Sequence, residues 1–128
     1  MLIKILLIDD DEDELDILED AFRQMNIHAD CSQEIKPENA IAALNEFRPD
    51  YLFLDFNMPK INGLTCLEEI RKVPALKQVR VILYSSNITR EIEKKALQLG
   101  AIGCIEKTNS LSPLMGRLNK LMNGHYSA

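Results

Sequence analysis

Five short apolar runs alternate with five segments of helical period along this chain, and that alternation restricts the fold more than any other feature. Residues 2–8 (LIKILLI) are almost all aliphatic. A short apolar run bounded by a polar break predicts a strand buried on both faces. Residues 51–55 (YLFLD) and 79–84 (VRVILY) repeat the pattern. Residues 29–33 (ADCSQ) read as a strand too polar to be central, and 101–106 (AIGCIE) as a short strand leading to Lys107. Between the runs, apolar residues recur at helical spacing: Leu15, Leu18, Ala21, Phe22 and Met25, then Ile41, Ala42, Leu44 and Phe47, then Leu64, Leu67 and Ile70. A fourth helix is predicted from a Thr89 cap to Leu99, and a fifth carries Leu111, Leu114, Met115, Leu118, Leu121 and Met122. Pro37 can open the second helix and Pro49 stop it. Pro74 breaks the third, and Gly100 and Gly124 end the last two. Strand and helix in this rhythm imply right-handed crossovers and an α/β fold, a parallel sheet with helices on both faces.

The chain has 128 residues, enough for one domain with its own core, and no linker or low-complexity stretch divides it. Its 15 basic and 20 acidic residues leave a net charge of −5. That balance argues against nucleic acid as a partner, since phosphate binding needs clustered Lys and Arg. The densest basic pair, Lys94-Lys95, sits among Glu91 and Glu93. Cys31, Cys66 and Cys104 form no C-x-x-C pair, so neither zinc nor a disulfide framework is expected. The run at 2–8 contains Lys4, is too short to span a membrane and precedes no small-residue cleavage site. A cytoplasmic monomer or weak dimer without membrane contact is expected.

In open parallel sheets, functional groups gather at the carboxyl ends of the strands. Here the first strand ends in Asp9 and Asp10, the third in Asp55, the fourth in Ser85, and the fifth near Lys107. Each residue alone has an ordinary explanation. Asp9, Asp10 and Asp11 can cap a helix, Asp55 can be a turn residue, Ser85 a loop hydroxyl, and Lys107 a solvated lysine. Their joint placement on one edge points to chemistry. Carboxylates held together raise each other's pKa, and a hard divalent cation removes that penalty. Mg²⁺ suits an oxygen set made of Asp10 and Asp55, the Asn57 carbonyl, and Asp9 through water. One carboxylate could then attack phosphorus and become an acyl phosphate, with Lys107 balancing charge and Ser85 bonding the phosphate. His28 and His125 have no matching partners and read as neither catalytic nor metal-binding.

These residues resemble the receiver domains of two-component response regulators. The resemblance is carried by Ile8-Asp9-Asp10-Asp11, by Leu54-Asp55-Phe56-Asn57-Met58-Pro59 with Gly63 after it, by Ser85, and by Lys107. It covers the chain from Leu2 to about Asn123. It implies a flavodoxin-like doubly wound fold, five parallel strands in the order 2-1-3-4-5 with five helices. It implies that Asp55 is the phosphoacceptor for a sensor histidine kinase or histidine phosphotransfer protein. It also implies Mg²⁺ on Asp10, Asp55 and the Asn57 carbonyl with Asp9 assisting, and Lys107 and Ser85 on the phosphate. Phosphorylation would then shift a surface built by the fourth helix, fifth strand and fifth helix, which docks a downstream protein target. The chain departs from the pattern in three ways. Thr108 stands where proline usually follows the lysine, Cys104 where an aromatic usually precedes it, and Ser86-Asn87 follow Ser85. The phosphoacceptor set is complete and the output switch is altered. Residues 1–128 are expected to be a single receiver domain with no output domain, acting as a phosphoacceptor rather than an enzyme.

Three other readings compete. A receiver-like module that binds protein independently of phosphorylation would keep the fold and account for Thr108 and Cys104. A flavodoxin-type electron carrier would share the sheet, but the acidic mouth repels an FMN phosphate and no phosphate-binding loop follows the first strand. A haloacid-dehalogenase-type phosphatase needs D-x-D after the first strand, which Asp9 and Asp11 supply, but this chain is short for that class.

Overall fold

The computed structural model describes residues 2–122, so the expected stop at Gly124 and the reading of His125 lie outside the described residues. In chain order come β1 (Ile3–Ile8), α1 (Glu14–Gln24), β2 (Ala29–Glu34), α2 (Ala40–Phe47), β3 (Tyr51–Leu54) and α3 (Gly63–Arg71). They are followed by β4 (Arg80–Ser85), α4 (Arg90–Gln98), β5 (Gly103–Glu106) and α5 (Leu111–Met122). All pairings are parallel and the strand order is β2-β1-β3-β4-β5. Polar β2 is an edge strand with no fully buried residue, as its composition predicts.

Side chains alternate across a strand, so each central strand feeds two cores. Ile3, Ile5 and Leu7 of β1, Tyr51 and Phe53 of β3, and Ile82 and Tyr84 of β4 pack with Leu18, Phe22, Leu114 and Leu118 of α1 and α5. Their neighbours Leu6, Ile8, Leu52, Leu54, Val81 and Leu83 pack on the other face with Leu44, Leu67, Ile70 and Ala96 of α2, α3 and α4. Burial on both faces is why these strands read as continuous apolar runs rather than alternating ones.

The helix ends follow local chemistry. Thr89 accepts a hydrogen bond from the Ile92 amide at 3.2 Å, and Gly100, at φ 87°, closes α4. Asn62 caps α3 by accepting from the Thr65 amide at 2.9 Å. Pro37 opens a single 3-10 turn, Pro37–Asn39, before α2 begins. α2 ends in Arg48 at φ 52°, the residue directly before Pro49 and therefore the one barred from continuing the helix. Strand boundaries move by a residue or two: β4 begins at Arg80 and β5 at Gly103.

Parallel strands point all carboxyl ends the same way. The ladder also continues past them: the amide of Asp9 donates to the Glu34 carbonyl at 3.1 Å, that of Asp55 to Ile8 at 3.0 Å, and that of Lys107 to Ser85 at 2.9 Å. Residues far apart in sequence are thus locked by sheet hydrogen bonds at one edge.

Candidate functional site

Asp9 is completely buried. Its Oδ1 accepts from the Asp11 amide at 3.0 Å, and its Oδ2 lies 2.7 Å from Lys107 Nζ without a well-aligned hydrogen bond. Asp11 Oδ1 in turn accepts from the Asp13 amide at 3.0 Å. These are turn contacts, and the residue before α1, Asp13, makes no side-chain cap. Asp9 and Asp10 are therefore not helix caps, and Asp10 stands exposed beside the buried Asp9. Gln33 fastens the acidic loop from the end of β2, its Nε2 donating to the carbonyls of Asp9 at 2.8 Å and Asp11 at 2.9 Å.

Asp55 follows β3 and is also buried. Its Oδ1 accepts from the Asn57 amide at 3.2 Å, and its Oδ2 is 3.5 Å from Lys107 Nζ. The exposed Asn57 reaches across to β4, where its Nδ2 donates to the buried Ser85 Oγ at 3.3 Å. Gly63 starts α3 directly against this loop. Its amide donates to the Phe56 carbonyl at 2.9 Å, and a Cβ there would collide with the Asp55 carbonyl oxygen. The interval from Asp55 to Gly63 is thus a packing requirement of the site itself.

All six expected residues meet at this edge. Asp9, Asp10 and Asp55 each offer a carboxylate oxygen, and these oxygens lie within 4.8 Å of one another. Burial pushes the Asp9 carboxyl up to about 6; Lys107 and the Asp11 amide pull it back, and the charge of Asp55 adds to the rise. Burial works against the Lys107 ammonium, but Asp9, Asp55 and Glu14 outweigh it and raise its pKa above 10.5. Hard oxygen donors at this spacing, carrying more negative charge than one lysine offsets, fit a divalent cation.

Sequence reasoning did not find every residue here. Glu14, in the first turn of α1, lies 3.9 Å from Lys107 Nζ through Oε1, and its Oε2 accepts from the Tyr84 hydroxyl at 3.2 Å. Gln33, near the carboxyl end of β2, falls under the same strand-end rule as the other site residues. Glu14 was not, since an acid in a first helical turn reads as a partner of the helix dipole. The Lys107–Thr108 bond is trans, and the loop beyond is held by Thr108 Oγ1 accepting from the Ser110 amide at 3.2 Å. Lys107 reaches the carboxylates without a proline after it.

Comparison with known proteins agrees with this geometry. The response regulator receiver domain family matches residues 5–119. The probable C4-dicarboxylate response regulator DctR of Bacillus subtilis (strain 168) is 32% identical over 117 residues, covering 91% of this chain and 51% of that protein. Among solved structures, the phosphorylated cyanobacterial phytochrome response regulator RcpA superposes with a TM-score of 0.79 at 25% identity, over 95% of this chain and 92% of that one. The CheX-CheY-BeF3-Mg+2 complex from Borrelia burgdorferi shares the fold, with a TM-score of 0.79 at 24% identity over 94% of this chain and 89% of that one. The chain spans between 18% and 51% of the length of three curated relatives that it matches. With strand order, acidic edge and lysine all in register with a match that runs almost end to end, this chain belongs to the response regulator receiver domain family, a phosphoacceptor signalling module.

Proposed function

We propose that Asp55 accepts a phosphoryl group from a histidine kinase or a histidine phosphotransfer protein, in a Mg²⁺-dependent reaction that alters a protein-docking surface. One observation carries this reading: the oxygens of Asp9, Asp10 and Asp55 converge within 4.8 Å, with Lys107 Nζ 2.7 Å from Asp9 and 3.5 Å from Asp55. Asp10, Asp55 and the Asn57 carbonyl would hold the cation, with Asp9 contributing through a water. Bound there, Mg²⁺ would offset the repulsion among the carboxylates and polarise a phosphoryl oxygen. An Asp55 oxygen forms the new bond to phosphorus while the bond from phosphorus to the donor imidazole nitrogen breaks. The electron pair leaves with the imidazole, and an acyl phosphate remains. Charge on the transferring group spreads over its equatorial oxygens, where the Lys107 ammonium stabilises it. Ser85, held by the Asn57 side chain, has a hydroxyl to donate to the same group.

In acetyl phosphate and Mg²⁺, the protein is expected to gain one phosphoryl group by intact mass, and Asp55→Asn none. Labelling that persists in Asp55→Asn would overturn the assignment.

A second reading is favoured by the output face. A groove of about 530 Å³ lies between α4, β5 and α5, lined by Leu97, Ile102, Cys104, Arg117 and Leu121 among others. Leu97 and Ile102 are exposed apolar residues, so this face offers a binding surface without any phosphoryl group. A protein partner that binds equally well with and without beryllofluoride would support phosphorylation-independent docking.

A further inference from the structure

Two polar side chains beside the acidic pocket have no part in the phosphoryl chemistry above. Glu14, only 13% exposed, projects from α1, and the fully buried Tyr84 projects from β4. The Tyr84 hydroxyl donates to Glu14 Oε2 at 3.2 Å, which leaves Oε1 on the side of Lys107 Nζ, 3.9 Å away. The Tyr84 ring is itself fixed, edge-on to Phe53 with centroids 5.9 Å apart, and Phe53 is edge-on to Phe22 at 6.4 Å. Lys107 Nζ also stands 5.7 Å from the Tyr84 ring centroid. The ammonium therefore sits between two anchorages. Asp9 and Asp55 hold it toward the pocket, and the Glu14–Tyr84 pair holds it toward α1.

We propose that Glu14 is a positioning residue that restrains Lys107 and so slows phosphoryl transfer to Asp55, with Tyr84 fixing the Glu14 carboxylate in place. This rests on the assignment of Asp55 as phosphoacceptor. The ammonium can serve the incoming phosphoryl oxygens only as far as it loosens from its resting partners. Removing one of those partners leaves it freer to move toward Asp55.

Glu14→Gln isolates the charge. Glutamine is isosteric, and its carbonyl oxygen still accepts the Tyr84 hydroxyl, so the aromatic stack keeps its partner. In acetyl phosphate and saturating Mg²⁺, Glu14→Gln is expected to phosphorylate faster than wild type by roughly three- to tenfold. Tyr84→Phe keeps the charge but frees the carboxylate, and is expected to give a smaller increase. The increase should vanish when Glu14→Gln is placed in a Lys107→Met background, because the restraint acts through that ammonium. Equal melting temperatures for wild type and Glu14→Gln would exclude a general loosening of the fold. An unchanged or slower rate in Glu14→Gln overturns the proposal. So does the same fold-increase in the Lys107→Met background, which would mean plain repulsion of the anionic donor. If wild type labels at Asp55 while Glu14→Gln changes nothing, only this inference fails; if Asp55→Asn still labels, the underlying assignment fails first.

Discussion

Asp9 carries an electrostatic cost that can be measured. Its folded pKa of about 6 lies above the ordinary 3.8, so between those values the folded protein holds a proton that the unfolded chain has released. Stability from this group is therefore highest below the unfolded value and falls as pH rises through about 6. The shift from 3.8 to about 6 sets the loss at no more than about 3 kcal/mol. Asp9→Asn removes the buried charge, and Lys107 keeps Asp55 and Glu14 as partners. In EDTA at pH 7.5 the variant is expected to melt several degrees above wild type, with the gap closing toward pH 4 in thermal scans. An equal gap at both pH values would count against a titrating Asp9. At this scale the sequence was informative where a residue bears chemistry and ends a strand: Asp9, Asp10, Asp55, Ser85 and Lys107 all stood out. Tyr84 did not, because it closes an apolar run as one more large residue, and only the fold turns its hydroxyl toward Glu14.

Among the elements, α3 ties the site to the opposite end of the sheet. Its first residue, Gly63, lies against the Asp55 backbone, and its last, Arg71, ties down the far end of the sheet. The Arg71 guanidinium donates to five carbonyls: Leu99 at 2.9 Å, Gly100 at 3.1 Å, Leu76 and Lys77 at 3.2 Å, and Val79 at 3.1 Å. These belong to the end of α4 and to the approach to β4, so one side chain joins two crossovers. Arg71→Met is expected to cost about 2–4 kcal/mol in urea unfolding, since charged hydrogen bonds are lost and carbonyls left without a donor. Arg71→Lys should recover little, because an ammonium has three hydrogens and no planar fork. Full recovery by lysine would show that charge alone suffices. Gly63→Ala tests the other end of α3. With its Cβ against the Asp55 carbonyl oxygen, the loop must shift, and acetyl phosphate labelling should fall together with the melting temperature. Gly63 stood out only as a position of the receiver motif, and neither contact was legible beforehand. A basic residue in a last helical turn reads as a dipole partner, and a glycine after a loop reads as a turn.

Across the whole molecule, the alternation of runs was enough to require a parallel sheet with helices on both faces, because burial on both faces leaves a local mark in every strand. Strand order leaves no such mark; it depends on which crossovers pack together, and here it followed from the resemblance carried by the motifs. That order puts β1 beside β3 and so brings Asp10 to Asp55. The converging carboxylates consequently exist only in the folded sheet, and a ligand that binds only the folded state stabilises it by mass action. At a concentration about 100-fold above its dissociation constant, Mg²⁺ should add about 2.7 kcal/mol, a rise of several degrees in melting temperature. Asp10 is exposed and outside both cores, so Asp10→Asn should leave the metal-free melting temperature nearly unchanged. The same substitution should remove most of the Mg²⁺-dependent rise. A rise of equal size in Asp10→Asn would place the cation somewhere other than the converging carboxylates, and the proposed chemistry of Asp55 would lose its electrostatic basis.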